Sequence, residues 1–180
     1  IVYGTGRQVE ANHSLALRFQ SVLADAFSES LPPVVQDAEV DEAELAAQRD
    51  AGRLHATVDM NELALCDVIN VCVPTPLTKT KDPDFSFMVA AVEEIRKRLR
   101  SGQLIILGST TYPGTTHELY LPLLEATGMR VGEDFALAFA PERIDPANKK
   151  FKVRNVPKVV GGETPLCTQL AVKSFEPVFD

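Results

Sequence analysis

The sequence predicts a doubly wound α/β domain with a mostly parallel sheet, and two observations carry that expectation. From Asp67 onward, apolar runs of strand length alternate with amphipathic runs of helix length, the pattern of βαβ units joined by right-handed crossovers. Three of the strand-like runs also empty into chemically loaded loops: Val73-Pro74-Thr75-Pro76, Ser109-Thr110-Thr111-Tyr112-Pro113-Gly114-Thr115-Thr116, and Pro141-Glu142-Arg143. Parallel strands end on one edge of their sheet, and that edge is where open α/β sheets bind ligands.

The first element is abrupt. Ile1-Val2-Tyr3 runs straight into Gly4-Thr5-Gly6, as though a first strand were entered near its end, so the first βαβ unit is expected to be atypical or incomplete. The start at Ile rather than Met suggests a processed, excised or incomplete product. From Ser14, Leu15, Phe19, Val22, Leu23 and Phe27 recur at helical spacing. Pro32-Pro33 stops that helix, and Val34-Val35 follows as a short strand. Asp41 to Asp50 reads as a charged surface helix closed by Gly52.

The later elements follow in regular order. Strands are expected at Asp67–Val73, Leu104–Leu107 and Phe135–Ala140, with helices at Phe85–Leu99 and Thr115–Glu125 between them. Asp84 is placed to cap the first of these helices, which presents Met88, Ala91, Val92, Ile95 and Leu99 on one face. A last strand, Lys158–Val160, ends at Gly161-Gly162; Thr164 then caps a helix that Pro165 begins and that runs towards Phe175.

Bulk composition narrows the function classes. The chain has 180 residues, 45% of them apolar and 24% charged, and a net charge of −7; this is enough for one domain with a core. The Arg96-Lys97-Arg98-Leu99-Arg100 run sits at an expected helix C-terminus, where cations are favoured, so no nucleic-acid partner is indicated. No apolar stretch approaches the roughly 20 residues that span a bilayer, and no signal segment is seen, which makes the expected location cytoplasmic with no membrane partner. Cys66, Cys72 and Cys167 lack the spacing of a disulfide framework or a zinc site, and no metal is expected. Cys72 lies in an apolar run, where a free thiol is usually a small hydrophobe. His13, His55 and His117 are isolated and read as solvated or locally bonded.

Each loop admits a chemical and a plain structural account. Two prolines stiffen Val73–Pro76 and remove two donors, which makes either a wall for the flat face of a nucleotide or a turn. Thr115 and Thr116 open a helix, where amides and hydroxyls hold an anion or where Thr115 merely caps. Glu142 and Arg143 are an acid/base group with an anion clamp, or a surface ion pair of small worth.

Taken in order, the residues carry a resemblance. Asp67-Val68-Ile69 leading to Val73-Pro74-Thr75-Pro76-Leu77, Pro83-Asp84, the Ser109–Thr116 phrase, Gly132-Glu133-Asp134-Phe135, Pro141-Glu142-Arg143-Ile144-Asp145-Pro146 and Pro157-Lys158-Val159-Val160-Gly161-Gly162 all match one pattern. Over roughly three quarters of its length, from Asp41 to Asp180, the chain resembles the Rossmann-like N-terminal domain of the UDP-glucose/GDP-mannose dehydrogenase family. Within that family it is most similar to the UDP-N-acetylhexosamine 6-dehydrogenase branch of polysaccharide biosynthesis.

The resemblance implies an oxidoreductase that converts the C6 hydroxyl of a UDP-sugar to a carboxylate with two NAD⁺, through a cysteine-bound thioester. It implies that Gly4, Gly6, Val73, Pro74, Thr75, Pro76, Ser109 and Thr110 contact NAD. Thr110 would orient a water or oxyanion, Glu142 would handle protons, and Glu142 and Arg143 would place the sugar nucleotide. Full-length relatives are expected to form homo-oligomers.

Departures from the pattern qualify these implications. Residues 1–40 form a divergent segment in which Val9 takes the place of the third glycine of the fingerprint, and no strand-end acid follows about 20 residues on. Gly108 stands where this branch often has Glu, and Ala147 where Gly usually follows Asp-Pro. The connecting helix, the sugar-nucleotide domain and its nucleophilic cysteine are not matched by any segment. A non-catalytic remnant or nucleotide-binding module is therefore the alternative to the cofactor half of an enzyme. A relative performing a single hydride transfer without a cysteine ranks below both.

Overall fold

In a computed structural model, residues 2–4, 42–52, 54–79, 83–143 and 156–176 are described. The expected helix from Ser14 to Phe27, the Pro32-Pro33 break, the Val34-Val35 strand, Gly6, His13 and Ile144 to Ala147 lie outside them.

A five-stranded sheet organises the domain, in the spatial order β1 (Val2–Gly4), β2 (Val68–Val71), β3 (Leu104–Leu107), β4 (Ala136–Phe139), β5 (Gly161–Gly162). The three inner strands are parallel and in step, with Val71 opposite Leu107 and Leu107 opposite Phe139. β3 is buried at all four positions, as an apolar run covered on both faces must be. The two edges run antiparallel, β1 against β2 and β5 against β4. The result is a doubly wound, Rossmann-like and mostly parallel sheet.

Among the described residues there are four α-helices: α1 (Glu42–Asp50), α2 (Ser86–Arg96), α3 (Leu121–Glu125) and α4 (Pro165–Phe175). One face of the sheet, with Ile69, Val71, Ile105, Leu107 and Leu137, packs on Met88, Ala91, Val92 and Ile95 of α2 and on Tyr120 and Leu124. The other face, with Leu104, Ile106, Ala136 and Ala138, packs on Cys167 and Ala171 of α4. Each fully buried Leu or Ile contributes about 1.5–3 kcal/mol relative to exposure.

Several boundaries differ from the sequence expectation for local reasons. A 3-10 helix, Met60–Leu65, precedes β2; Asp59 caps it by accepting from Asn61 N. β2 ends at Val71, so Cys72 and Val73 already belong to the loop. Asp84 caps α2 from one residue further out than the N-cap position, its Oδ1 accepting from Ser86 N at 2.9 Å. That bond holds the Asp84 carboxyl below its usual range.

The expected Thr115–Glu125 helix begins as a π-turn over Thr116–Tyr120 before α3. Pro122 has no N–H to give Glu118, and Leu121 N reaches five residues back to Thr116 O. The final strand is Gly161–Gly162 rather than Lys158–Val160, and it is antiparallel. A Cβ on Gly162 would lie 2.4 Å from Thr168 N, so this strand reaches α4 only as glycine. Thr164 and Pro165 open α4 as the sequence indicates, with Thr164 Oγ1 accepting from Cys167 N.

The basic run is structural. Arg96 pairs with Glu93 at 2.7 Å, and Lys97 and Arg98 pair with Glu94. Arg100 donates to the carbonyls of Ala64 and Cys66 and to Asp67 Oδ1. Among the described residues no helix is long and apolar enough to cross a membrane.

Candidate functional site

Because β2, β3 and β4 are parallel and in register, the loops after Val71, Leu107 and Phe139 leave the sheet at one edge. This is the juxtaposition expected from the sequence.

The first loop is anchored at both ends. Ser109 is 5% exposed; its Oγ accepts from Val73 N at 2.7 Å and donates to Val73 O at 2.9 Å. At the far end Asp84 N donates to Pro76 O at 2.8 Å. Val73 packs against the core while Pro74 and Pro76 face outward and Thr75 is half-buried. With neither proline able to donate, the Ser109 hydroxyl meets the polar groups of Val73 that the sheet no longer pairs. Ser109 is thus a clip within the wall, and Thr110 is the exposed hydroxyl beside it.

The second loop closes on itself. Thr115, 1% exposed, donates from Oγ1 to Tyr112 O at 2.9 Å and lies 2.7 Å from Thr111 Oγ1. Its hydroxyl bonds back into the loop, and although Thr115 stands at the N-cap position it makes no side-chain cap hydrogen bond, so it does not cap the helix as the plain structural account expected. The carboxylate of Glu118 stands 2.7 Å from where a Gly114 Cβ would be, which puts a negative charge at the entrance of this helical segment. Tyr112 meets Phe85 edge-on, ring centroids 5.1 Å apart, and so ties the second loop to the start of α2.

In the third loop, Arg143 donates its backbone N–H to Glu142 Oε1 at 2.6 Å. The described cation facing the carboxylate is Lys158, Nζ 3.9 Å from Glu142 Oε2. Sequence reasoning passed over Lys158. The signal was one cation inside the apolar run Val156–Val160, where a buried charge requires a partner.

Gly4, expected from the sequence at the cofactor, is placed by its strand pairing. Gly4 pairs with Val68, the first residue of β2. Since β1 runs antiparallel, Gly4 lies at the edge opposite the three loops.

Comparison with known proteins decides the family. Residues 34–179 match the model of the UDP-glucose/GDP-mannose dehydrogenase family, NAD binding domain. The chain belongs to this family. It is 42% identical over 133 residues to a UDP-N-acetyl-D-glucosamine 6-dehydrogenase of Pseudomonas aeruginosa, an alignment covering 73% of this chain and 31% of that protein. Among solved structures it resembles the NDP-N-acetyl-D-galactosaminuronic acid dehydrogenase of Methanosarcina mazei Go1, with a TM-score of 0.74 and 29% identity over 94% of this chain and 36% of that one. The UDP-D-ManNAc dehydrogenase of Pyrococcus horikoshii is alike at TM-score 0.74 and 30% identity, over 89% and 37%. The chain spans about a third of the length of these relatives.

The described edge offers a stiff apolar wall at Pro74 and Pro76 and an exposed hydroxyl at Thr110.

Burial, with Glu62 adding to it, pushes the Cys66 thiol up to about 12. Burial likewise raises Cys72, and Cys167 is enclosed under α4, its Sγ accepting from Thr164 Oγ1. Among the described residues no group of three or more His, Cys, Asp or Glu side chains is placed to hold a metal ion.

Proposed function

We propose that this chain is the cofactor-holding part of a nucleotide-sugar 6-dehydrogenase that oxidises the C6 hydroxyl of a UDP-sugar to a carboxylate. Residues 41–180 form its dinucleotide-binding domain, and residues 1–40 form a divergent lead-in. Bound NAD⁺ supplies the hydride acceptor. The proline wall, held by Ser109, excludes water from one side of the reacting carbon. Thr110 offers a donor and an acceptor beside that carbon. Glu142 accepts a proton from the C6 hydroxyl or from water, and Arg143 pairs with the sugar nucleotide's charge. The acid-forming step needs a thiolate nucleophile, which the raised pKa values of Cys66 and Cys72 deny to these two residues.

The observation that carries this reading is the Ser109–Val73 clip, which joins two family phrases into one preformed wall. A specific observation favours a second reading. Gly4 sits at the remote edge, which supports a nucleotide-binding module with weakened cofactor affinity and no turnover. Calorimetric titration of the 180-residue chain with NAD⁺ separates the two. Saturable micromolar binding that weakens in Thr110→Ala or Ser109→Ala supports the cofactor role, and no heat at millimolar NAD⁺ overturns it.

A further inference from the structure

The segment before β5 delivers a part-buried cation to the ligand edge. Lys158 Nζ donates to Pro141 O at 3.0 Å and stands 3.9 Å from Glu142 Oε2, its side chain 11% exposed. Phe175 of α4 presents its ring 5.5 Å from the same ammonium, a further attraction for a charge taken out of water. Among the described residues, the titratable groups facing Lys158 are the Glu142 carboxylate, from the loop after β4, and the Cys72 thiol, from the loop after β2.

Pro141 has no N–H, and the sheet ladder ends near it, where Ala140 N bonds to Leu107 O. A loop whose carboxylate must face one way is thus fastened by a side chain from another segment. We propose that Lys158 is the positioning residue of Glu142: it grips the Pro141 carbonyl and faces the carboxylate with opposite charge, which fixes where the acid/base group points.

This rests on the dehydrogenase reading only in taking Glu142 as the proton-handling group. Burial lowers the Lys158 pKa, while Glu142 and then Cys72 hold it up. The carboxylate and the ammonium are therefore coupled.

The test follows Lys158 Nζ by heteronuclear NMR across pH in the 180-residue chain. In Glu142→Gln the Lys158 midpoint moves to lower pH, because the attraction that raised it is gone. An unchanged midpoint overturns the pairing. Amide hydrogen exchange at Arg143, whose N–H rests on the Glu142 carboxylate, reads the positioning itself. Exchange accelerates in Lys158→Met and returns towards the unmodified rate in Lys158→Arg; equal rates in all three chains overturn the role. Neither readout needs NAD⁺ or a sugar nucleotide. Failure here therefore leaves the cofactor reading standing, and a chain that fails to bind NAD⁺ leaves the Lys158 pairing to be decided on its own.

Discussion

The hydroxyl of Ser109 holds both backbone polar groups of Val73, accepting from its N–H at 2.7 Å and donating to its carbonyl at 2.9 Å. The two residues are 36 positions apart in the chain, yet this contact makes the loops after β2 and β3 a single surface. Removing the hydroxyl should therefore have two effects. Ser109→Ala leaves a part-buried N–H without its partner and is expected to cost about 1–2 kcal/mol in stability. It should also weaken NAD⁺ binding, because the proline wall loses its clip. Urea denaturation and calorimetry on the same preparation check both; unchanged stability would show that water replaces the hydroxyl at no cost.

Gly108 tests the same edge sterically. A Cβ there would lie 2.7 Å from Asn70 Oδ1 and 3.0 Å from Cys72 Sγ. Gly108→Ala is expected to destabilise by about 1–3 kcal/mol through overpacking, and Gly108→Glu, the residue common at this place in the branch the chain resembles, by at least as much. Thermal melts of both variants decide it. If Gly108→Glu proves neutral or stabilising, Asn70 and Cys72 can yield, and the close packing has no energetic weight.

Gln103 is the buried polar hub below the sheet. It is 1% exposed, donates from Nε2 to Leu63 O and Cys66 O, and accepts at Oε1 from Arg100 N. Gln103→Leu keeps the bulk and leaves the Arg100 N–H without its partner, while Leu63 O still accepts from Cys66 N and Cys66 O from Arg100 Nη2, at an expected cost of about 1–3 kcal/mol. Chemical denaturation measures that loss, and hydrogen exchange at Arg100 should rise with it.

The pH dependence of stability is expected to include His117. Its ring lies 3.0 Å from Glu163, and this hydrogen bond with the accompanying charge raises the His117 pKa. A raised folded pKa means that the contribution is fully present below the unfolded value of 6.5 and is lost as pH rises through the folded value. The pair is exposed, so the effect is small. The melting temperature should decline with pH over that window in the unmodified chain and decline less in Glu163→Gln; parallel curves would refute the linkage.

Much of the fold was legible because burial writes itself into residue pattern. Leu104–Leu107 is apolar at every position because both faces of β3 are covered, and Met88, Ala91, Val92 and Ile95 mark the inward stripe of α2. Less legible were features set by a single backbone group. Pro122 turned an expected helix start into a π-turn, and the glycines after Val160, rather than the residues before them, form the last strand.

Of the candidate site, the three loops and their common edge followed from the order of strands and helices. Strand direction did not, because an isolated Val2-Tyr3-Gly4 has the same side-chain pattern whichever way it runs. Pairing with Val68 to Asn70 alone decides that Gly4 faces away. The family phrases likewise named Ser109 and Glu142 without saying what holds either one. Those roles depend on residues distant in sequence, Val73 for the one and Lys158 for the other.

The sequence by itself determined the α/β class, the family and the loops that meet at one sheet edge, because periodicity and motif order are local properties of the chain. Only the tertiary structure decided that the Ser109 hydroxyl bonds both polar groups of Val73, that the Thr115 hydroxyl bonds back into its own loop, and that a part-buried Lys158 faces Glu142. Each of these depends on which hydrogen-bonding or charged group a distant segment brings within about 4 Å, the range over which such contacts act.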